Sequence, residues 1–115
     1  MNNSKSKKEL QAQYREREII GGVCAIRNTQ NNKILLEATV NLHSSKNRFE
    51  FSQKTGSCVY LKLQNDWNEQ GGDTFVFEIL EELKKSDTQS ERDFKADVDL
   101  LLEIWRDKLL GTVFY

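Results

Sequence analysis

Side chains able to do chemistry are few and scattered in this sequence. His43 is the only histidine, and Cys24 and Cys58 belong to no C-x-x-C pair or Cys/His cluster. A zinc site and a Ser/His/Asp arrangement are therefore not indicated. We interpret both cysteines as buried free thiols, Cys24 on a strand and Cys58 on a helix. Gly71 and Gly72 lack the glycine spacing and the Lys-Ser/Thr pair of a phosphate-binding loop, so they mark the end of a helix.

The formal net charge of −1 conceals an uneven distribution. Residues 1–72 carry 11 Lys and Arg against 7 Asp and Glu, a balance of +4, whereas residues 73–115 carry 6 against 11, a balance of −5. Nucleic-acid-binding domains usually combine a basic surface with a high pI, and the pI here is about 5.9. The sequence therefore limits nucleic-acid binding to the first half of the chain.

Length and hydropathy describe one small domain. A chain of 115 residues has the size of a single domain with one core. No apolar run approaches the roughly 18 residues that span a bilayer. The first ten residues are polar and basic without the apolar segment of a secretory signal, so we expect a cytoplasmic protein without membrane insertion.

Two segments have the composition of strands. Residues 21–39 place branched apolar side chains on both sides of a polar centre, residues 28–32, which predicts a β-hairpin. Residues 74–80 are dense in aromatic and β-branched side chains and predict a third strand, with Phe75, Phe77 and Ile79 on one face.

Helical patterns occupy much of the remaining chain. Residues 1–20 predict a basic N-terminal helix or arm, and residues 41–56 predict only a short irregular helix or a loop. Ser57 is a candidate N-cap for a helix that ends before Gly71. The strongest pattern follows Ser90, where apolar side chains recur at steps of three and four: Phe94, Val98, Leu101, Leu102, Trp105 and Leu109.

These elements predict an α+β fold, with a three-stranded antiparallel sheet flanked by helices in one domain, residues 21–115. Both tryptophans lie on apolar helix faces, so we expect Trp67 and Trp105 to pack in the core rather than stack on bases.

The order and the pattern of these elements, over residues 22–110, resemble the GIY-YIG nuclease-type domain. The match is best over residues 63–83, which resemble the helix, glycine turn and strand of its homing-endonuclease-like members. The hallmarks of that family are a Gly-Ile-Tyr strand, a Tyr-Ile-Gly strand, an arginine on the next helix and a glutamate on a later helix. Cys24 stands where the first tyrosine is expected, Leu35 where the second is expected, and Glu37 where a glycine is expected.

The helical hallmarks are also altered. Ser45 occupies the expected place of the arginine, with Arg48 as the nearest substitute, and Leu102 or Glu103 falls at the metal-binding glutamate. In the resembled family the tyrosine helps to activate water, the glutamate holds a divalent metal and the arginine stabilises charge on the phosphate. The resemblance thus implies Mg²⁺ or Mn²⁺ at Glu103 only if cleavage persists, and otherwise no cofactor.

Three function classes fit this pattern. The favoured one is a catalytically degenerate nuclease-like domain that binds nucleic acid, a nucleotide or a protein partner, because the fold pattern survives while the chemical residues do not. The others are an active or residually active metal-dependent nuclease, and a structural or interaction protein that uses its acidic C-terminal helix. For a phosphate-bearing ligand, the resemblance places Glu37, Arg48 and Glu103 around one groove beside the hairpin. The cations Lys33, Lys46 and Lys54 are close to this groove in sequence, so we expect them to attract phosphate there. Oligomeric state is left open.

Overall fold

One antiparallel sheet organises the computed structural model, which describes residues 18–115. Its strands, in the spatial order β2-β1-β3, are β1 (Ile20–Asn28), β2 (Ile34–Thr39) and β3 (Phe75–Lys84). The helices are α1 (Leu42–Thr55), α2 (Gln64–Gln70) and α3 (Glu91–Lys108), and the 3₁₀ turns are Leu61–Leu63 and Gly72–Thr74. The α+β prediction is thus confirmed, whereas most of the predicted N-terminal helix, residues 1–17, lies outside the described residues.

Strand β1 is the centre of the sheet. It pairs with β2 on one side and with β3 on the other, and residues 21–26 are all buried. Because side chains alternate along a strand, Ile26 faces α1 and α2, whereas Val23 and Ala25 face α3. Helices therefore cover both faces of the sheet.

Gly22 is required by the close approach of two strands. A Cβ atom at this position would lie 2.0 Å from the carbonyl oxygen of Glu81 on β3, and the φ angle of +147° is one that other residues rarely adopt. The register between β1 and β3 shifts at Val23 and Cys24, which is the signature of a β-bulge next to this contact. Steric and backbone constraints therefore explain why glycine occupies position 22, the first residue of the Gly22-Val23-Cys24 sequence.

Helix α3 covers the sheet in the way its apolar pattern predicts. Ser90 caps the helix, because its hydroxyl oxygen accepts a hydrogen bond from the Asp93 amide at 3.1 Å. Phe94 and Val98 are buried. The remaining members of the predicted apolar face pack beside the cluster that Val23, Ala25 and Leu36 form: Leu101, Leu102, Trp105 and Leu109.

The other core cluster lies between the sheet and the first two helices. Trp67 is 4% exposed and stacks on Phe75, with the ring centroids 5.2 Å apart. Phe49 packs edge-on against Trp67 at 6.3 Å. The interpretation of Trp67 as a core residue is therefore confirmed.

Helix α1 is a regular helix of 14 residues, so the prediction of a short irregular helix or a loop over residues 41–56 was wrong about its length and regularity. Asn41 caps the helix by accepting the Ser44 amide at 3.0 Å, and Gly56 ends it in the left-handed conformation. Only Leu42, Phe49 and Ser52 of α1 are buried. One of these is polar, so the apolar periodicity of the sequence was too weak to reveal the helix.

The predicted N-cap at Ser57 was also wrong. Residues 56–60 are non-helical and Tyr60, which precedes the first 3₁₀ turn, is in extended conformation. Cys58 therefore lies in a connecting segment and not on a helix. Strand β3 starts one residue later than predicted, because Thr74 ends a 3₁₀ turn, and it continues to Lys84. Within residues 18–115, no helix combines the length and apolar character needed to cross a membrane.

We expect Phe94→Ala to lower the free energy of unfolding by about 3–5 kcal/mol, the usual cost of truncating a buried phenylalanine. Leu100→Ala is the matched control on the same helix, because Leu100 is 57% exposed, and it should change stability by no more than about 0.5 kcal/mol. Urea denaturation of both variants measures the difference. Equal stabilities would contradict the packing of α3 described above.

Candidate functional site

A cleft opens beside residues 37–40 at the outer edge of β2, between α1 and α3. It has a volume of about 340 Å³, and we call it the β2 cleft. Its lining residues are Glu37, Ala38, Thr39, Val40, Ser45, Arg48, Lys95, Val98 and Asp99. The cleft therefore brings together side chains from one strand and two helices that are far apart in sequence.

Two ion pairs line the β2 cleft. The Arg48 guanidinium lies 3.5 Å from the Glu37 carboxylate, and the Lys95 ammonium lies 2.7 Å from the Asp99 carboxylate. The side chains of Arg48 and Lys95 are 52% and 67% exposed. Since exposed pairs of this kind are weak, both cations remain accessible to an anionic ligand.

Ser45 and Thr39 add hydroxyl groups to the same wall. The Ser45 hydroxyl donates to the Thr39 hydroxyl oxygen at 2.8 Å, and the Thr39 oxygen also accepts the Asn41 amide at 3.1 Å. Ser45 stands where the resemblance places an arginine. The structure puts the guanidinium of Arg48 in the same cleft, one turn further along α1.

The two positions at which the resemblance places tyrosines, Cys24 and Leu35, are unsuited to proton transfer. Cys24 is 1% exposed, and burial, together with the neighbouring Glu37 carboxylate, raises the pKa of its thiol to about 12. Leu35 packs against the aromatic cluster of the core. Neither side chain can activate water at neutral pH.

Tyr60 is a phenol that the sequence pattern did not single out. The Arg48 guanidinium carbon lies 5.3 Å from the centroid of its ring. Burial raises the pKa of Tyr60, although the adjacent Arg48 opposes this rise. Its phenol therefore stays protonated, and at 6% exposure it has little contact with solvent. Its place beside Arg48 depends on the path of the segment after α1, which no local motif encodes.

The predicted groove residues do not all meet. Glu37 and Arg48 line the β2 cleft, but Glu103 is exposed further along α3 and is not part of the lining. Asp99, one turn earlier, is the acidic side chain that α3 contributes. The strong apolar pattern of α3 predicted which face of the helix is buried. It did not predict which carboxylate beside that face, Asp99 or Glu103, lies next to β2.

The other predicted cations are dispersed. Lys46 lines a separate groove between α1 and β3, because two residues along a helix turn a side chain by roughly 200°. The Lys33 ammonium lies 5.5 Å from the centroid of the Tyr115 ring, at the hairpin end. Lys54 is exposed in the last turn of α1. Proximity in sequence to the hairpin was therefore a poor guide to the β2 cleft, since only Arg48 among these cations reaches it.

The residues of the β2 cleft do not fit a resident divalent metal. Its lining contains only two carboxylates, Glu37 and Asp99, whereas Mg²⁺ and Ca²⁺ take about six or more oxygen ligands. Among residues 18–115, no cluster of three or more His, Cys, Asp or Glu side chains could hold a metal. What the cleft does offer is a guanidinium, an ammonium and two hydroxyls.

Comparison with solved structures identifies the fold. The catalytic domain of intron endonuclease I-TevI, in a point-substituted form, is 24% identical over 79% of this chain and 84% of that chain, with a TM-score of 0.57. A structure of the catalytic domain of homing endonuclease I-TevI is 22% identical over 82% and 96%, with the same TM-score of 0.57. The resemblance to the GIY-YIG nuclease fold is thus confirmed. Neither a protein-family model nor a curated protein matches the sequence.

We expect Cys24 to resist alkylation in the folded protein. With a pKa of about 12, about one thiol in ten thousand is ionised at pH 8, and only the thiolate reacts. The measurement is iodoacetamide labelling of the Cys58→Ser variant, followed by mass spectrometry with and without urea. Stoichiometric labelling in urea and almost none in buffer is the expected result. Fast labelling without urea would contradict the environment described for Cys24.

Proposed function

We propose that this domain binds nucleic acid at the β2 cleft and does not cleave it. The observation that carries the proposal is the content of the cleft, which holds Arg48 and Lys95 but neither a solvent-exposed phenol nor a set of metal ligands. The shared fold with an endonuclease catalytic domain supports nucleic acid as the class of ligand. Unlike cleavage, nucleic-acid binding requires only the cations of the cleft.

Phosphate is the chemistry that these side chains suit. A guanidinium can make two parallel hydrogen bonds to a phosphate, and hydroxyls such as those of Ser45 and Thr39 are common phosphate contacts. A phosphate entering the cleft would replace Glu37 as the partner of Arg48. It would also approach Lys95 across the cleft, where Asp99 is the competing carboxylate.

The side chains in and around the β2 cleft do not favour hydrolysis of a bound phosphodiester. The thiol of Cys24 and the phenol of Tyr60 both have raised pKa values because of burial, so neither supplies a base near neutral pH. The cleft carboxylates are paired with cations, as described above. The cleft would therefore place positive charge beside the transition state of phosphodiester hydrolysis, but it would supply no activated water molecule to attack the phosphate.

Protein docking is a second candidate function, and one observation favours it. The solvent face of α3 exposes Leu100 and Ile104, which are 57% and 42% accessible, among exposed carboxylates. These carboxylates are Asp93, Asp97, Glu103 and Asp107. A basic amphipathic segment of a partner would complement this face.

We expect no cleavage of single- or double-stranded DNA or RNA in the presence of Mg²⁺ or Mn²⁺. A parallel purification from cells that lack the expression plasmid controls for contaminating nuclease. Metal-dependent cleavage that disappears in Glu103→Gln or Tyr60→Phe would contradict the proposal, because it would assign the activity to this chain.

Binding should depend on Arg48 and much less on Lys46. Arg48→Gln removes a cation from the β2 cleft, whereas Lys46→Gln makes the same charge change on the opposite side of α1. We expect Arg48→Gln to weaken nucleic-acid binding about tenfold, the cost of one strong charge-assisted contact of about 1.4 kcal/mol. It should also make binding less sensitive to salt.

Fluorescence anisotropy at two salt concentrations measures both effects. Equal losses in the two variants would indicate general charge attraction rather than a site. Binding that ignores both the substitutions and the salt would move the interaction to α3 and favour a protein partner.

A further inference from the structure

Three large apolar side chains on α1 and on the segment that follows it are exposed to solvent. Phe51, Val59 and Leu61 are 63%, 52% and 91% exposed. Residues 59–61 alternate outward and inward, because Tyr60 between them is buried and packs against Arg48. Val59 and Leu61 therefore precede and follow the residue that packs against Arg48, and Phe51 lies about one turn beyond Arg48 on α1. We call these three side chains the Phe51 patch.

Cations flank the aromatic ring of this patch along the helix. Arg48, Phe51 and Lys54 are spaced at i, i+3 and i+6, and side chains three residues apart are neighbours on a helix surface. Arg48 and Lys54 are thus about 9 Å apart along the helix axis, with Phe51 between them. Lys62 adds an exposed cation directly after Leu61.

Charge complementarity limits what can cover the patch. The nearest carboxylates on α1 and β2 are already paired, Glu50 with Lys46 at 4.0 Å and Glu37 with Arg48 at 3.5 Å. An occupant must therefore place apolar flat surface on Phe51 and negative charge on either side of it. A single strand of nucleic acid has this combination, because each unpaired base has a flat face and each nucleotide carries a phosphate.

We propose that the ligand of this domain is single-stranded nucleic acid, with an unpaired base stacked on Phe51 and the flanking phosphates at Arg48 and Lys54. This inference rests on the proposed function and adds the strandedness of the ligand. Stacking requires a base that is not paired, so a duplex contacts the cations but not the ring. Val59 and Leu61 provide further apolar surface for a neighbouring base.

The test compares a labelled single-stranded DNA of about 15 nucleotides with its duplex by fluorescence anisotropy. Wild type should bind the single strand more tightly than the duplex. Phe51→Ala should weaken binding of the single strand about tenfold, in line with the usual contribution of one stacked base, and should leave binding of the duplex unchanged. Phe51→Tyr, which keeps the ring, should restore the affinity.

Leu100→Ala on α3 is the matched control, since it removes an exposed apolar side chain far from the patch, and it should change neither affinity. Because Phe51 is 63% exposed, the alanine variant should fold normally, which thermal denaturation verifies. Equal binding of both DNAs with no effect of Phe51→Ala would overturn the inference and leave the proposed function standing. Absence of binding to either DNA, and to single- and double-stranded RNA of the same sequence, would overturn both. A dimer in sedimentation that Phe51→Ala converts to a monomer would make the patch an interface between copies and overturn the inference.

Discussion

The structure depends on burying β1 on both of its faces. A central strand that pairs on both edges and is covered by helices on both sides excludes water from residues 21–26. Val23 and Ile26, the two large apolar side chains of this run, each contribute on the order of 1.5–3 kcal/mol of transfer free energy before the entropy of ordering the chain is counted. The close approach at Gly22 is part of the same constraint, because it lets β3 pack directly against the start of the strand.

The same burial explains the chemistry of the β2 cleft. Cys24 lies on the face of β1 that α1 and α2 cover, directly opposite Glu37 on β2. A thiol in this position has a pKa near 12 because its ionised form would lose hydration and meet a carboxylate. A side chain at position 24 either packs in the core or is exposed enough to activate water. In this protein Cys24 packs in the core. The reactive potential of the cleft consequently lies with side chains outside β1, on the edge of β2 and on two helices.

Sequence patterns predicted the elements whose periodicity is strong. The hairpin, the third strand and α3 have the alternation or the steps of three and four that a half-buried element requires, and their existence is confirmed. Helix α1 was not predicted as a regular helix because Ser52 interrupts its narrow buried face and Phe51 points outward. The segment after it was assigned to a helix because Val59, Tyr60 and Leu63 imitate helical spacing, although Val59 is exposed and Tyr60 is buried by extended alternation.

The candidate site was less predictable than the fold, because its contacts join distant residues. Arg48 and Glu37 were identified through the resemblance, and the structure brings them together. Lys95, Asp99 and Tyr60 have no local signature. Their positions follow from how α3 crosses the edge of β2 and from how the chain leaves α1. A single-sequence pattern reports which face of a helix is buried, but not which flanking side chain reaches a neighbouring strand.

The ion pairs of the β2 cleft influence which anionic ligands could bind there selectively. Arg48 and Glu37 are 52% and 31% exposed, and a pair of this kind is worth about 0–1 kcal/mol. Replacing Glu37 by phosphate therefore costs little, whereas the freed carboxylate remains close to the bound anion and repels it. A ligand with only one phosphate gains little from this exchange. A ligand that also places apolar surface on the exposed Phe51 and a second phosphate at Lys54 gains two further contacts. On this argument Glu37 would disfavour small anions, and the proposed binding would draw its affinity from the extended surface of a polynucleotide rather than from the cleft alone.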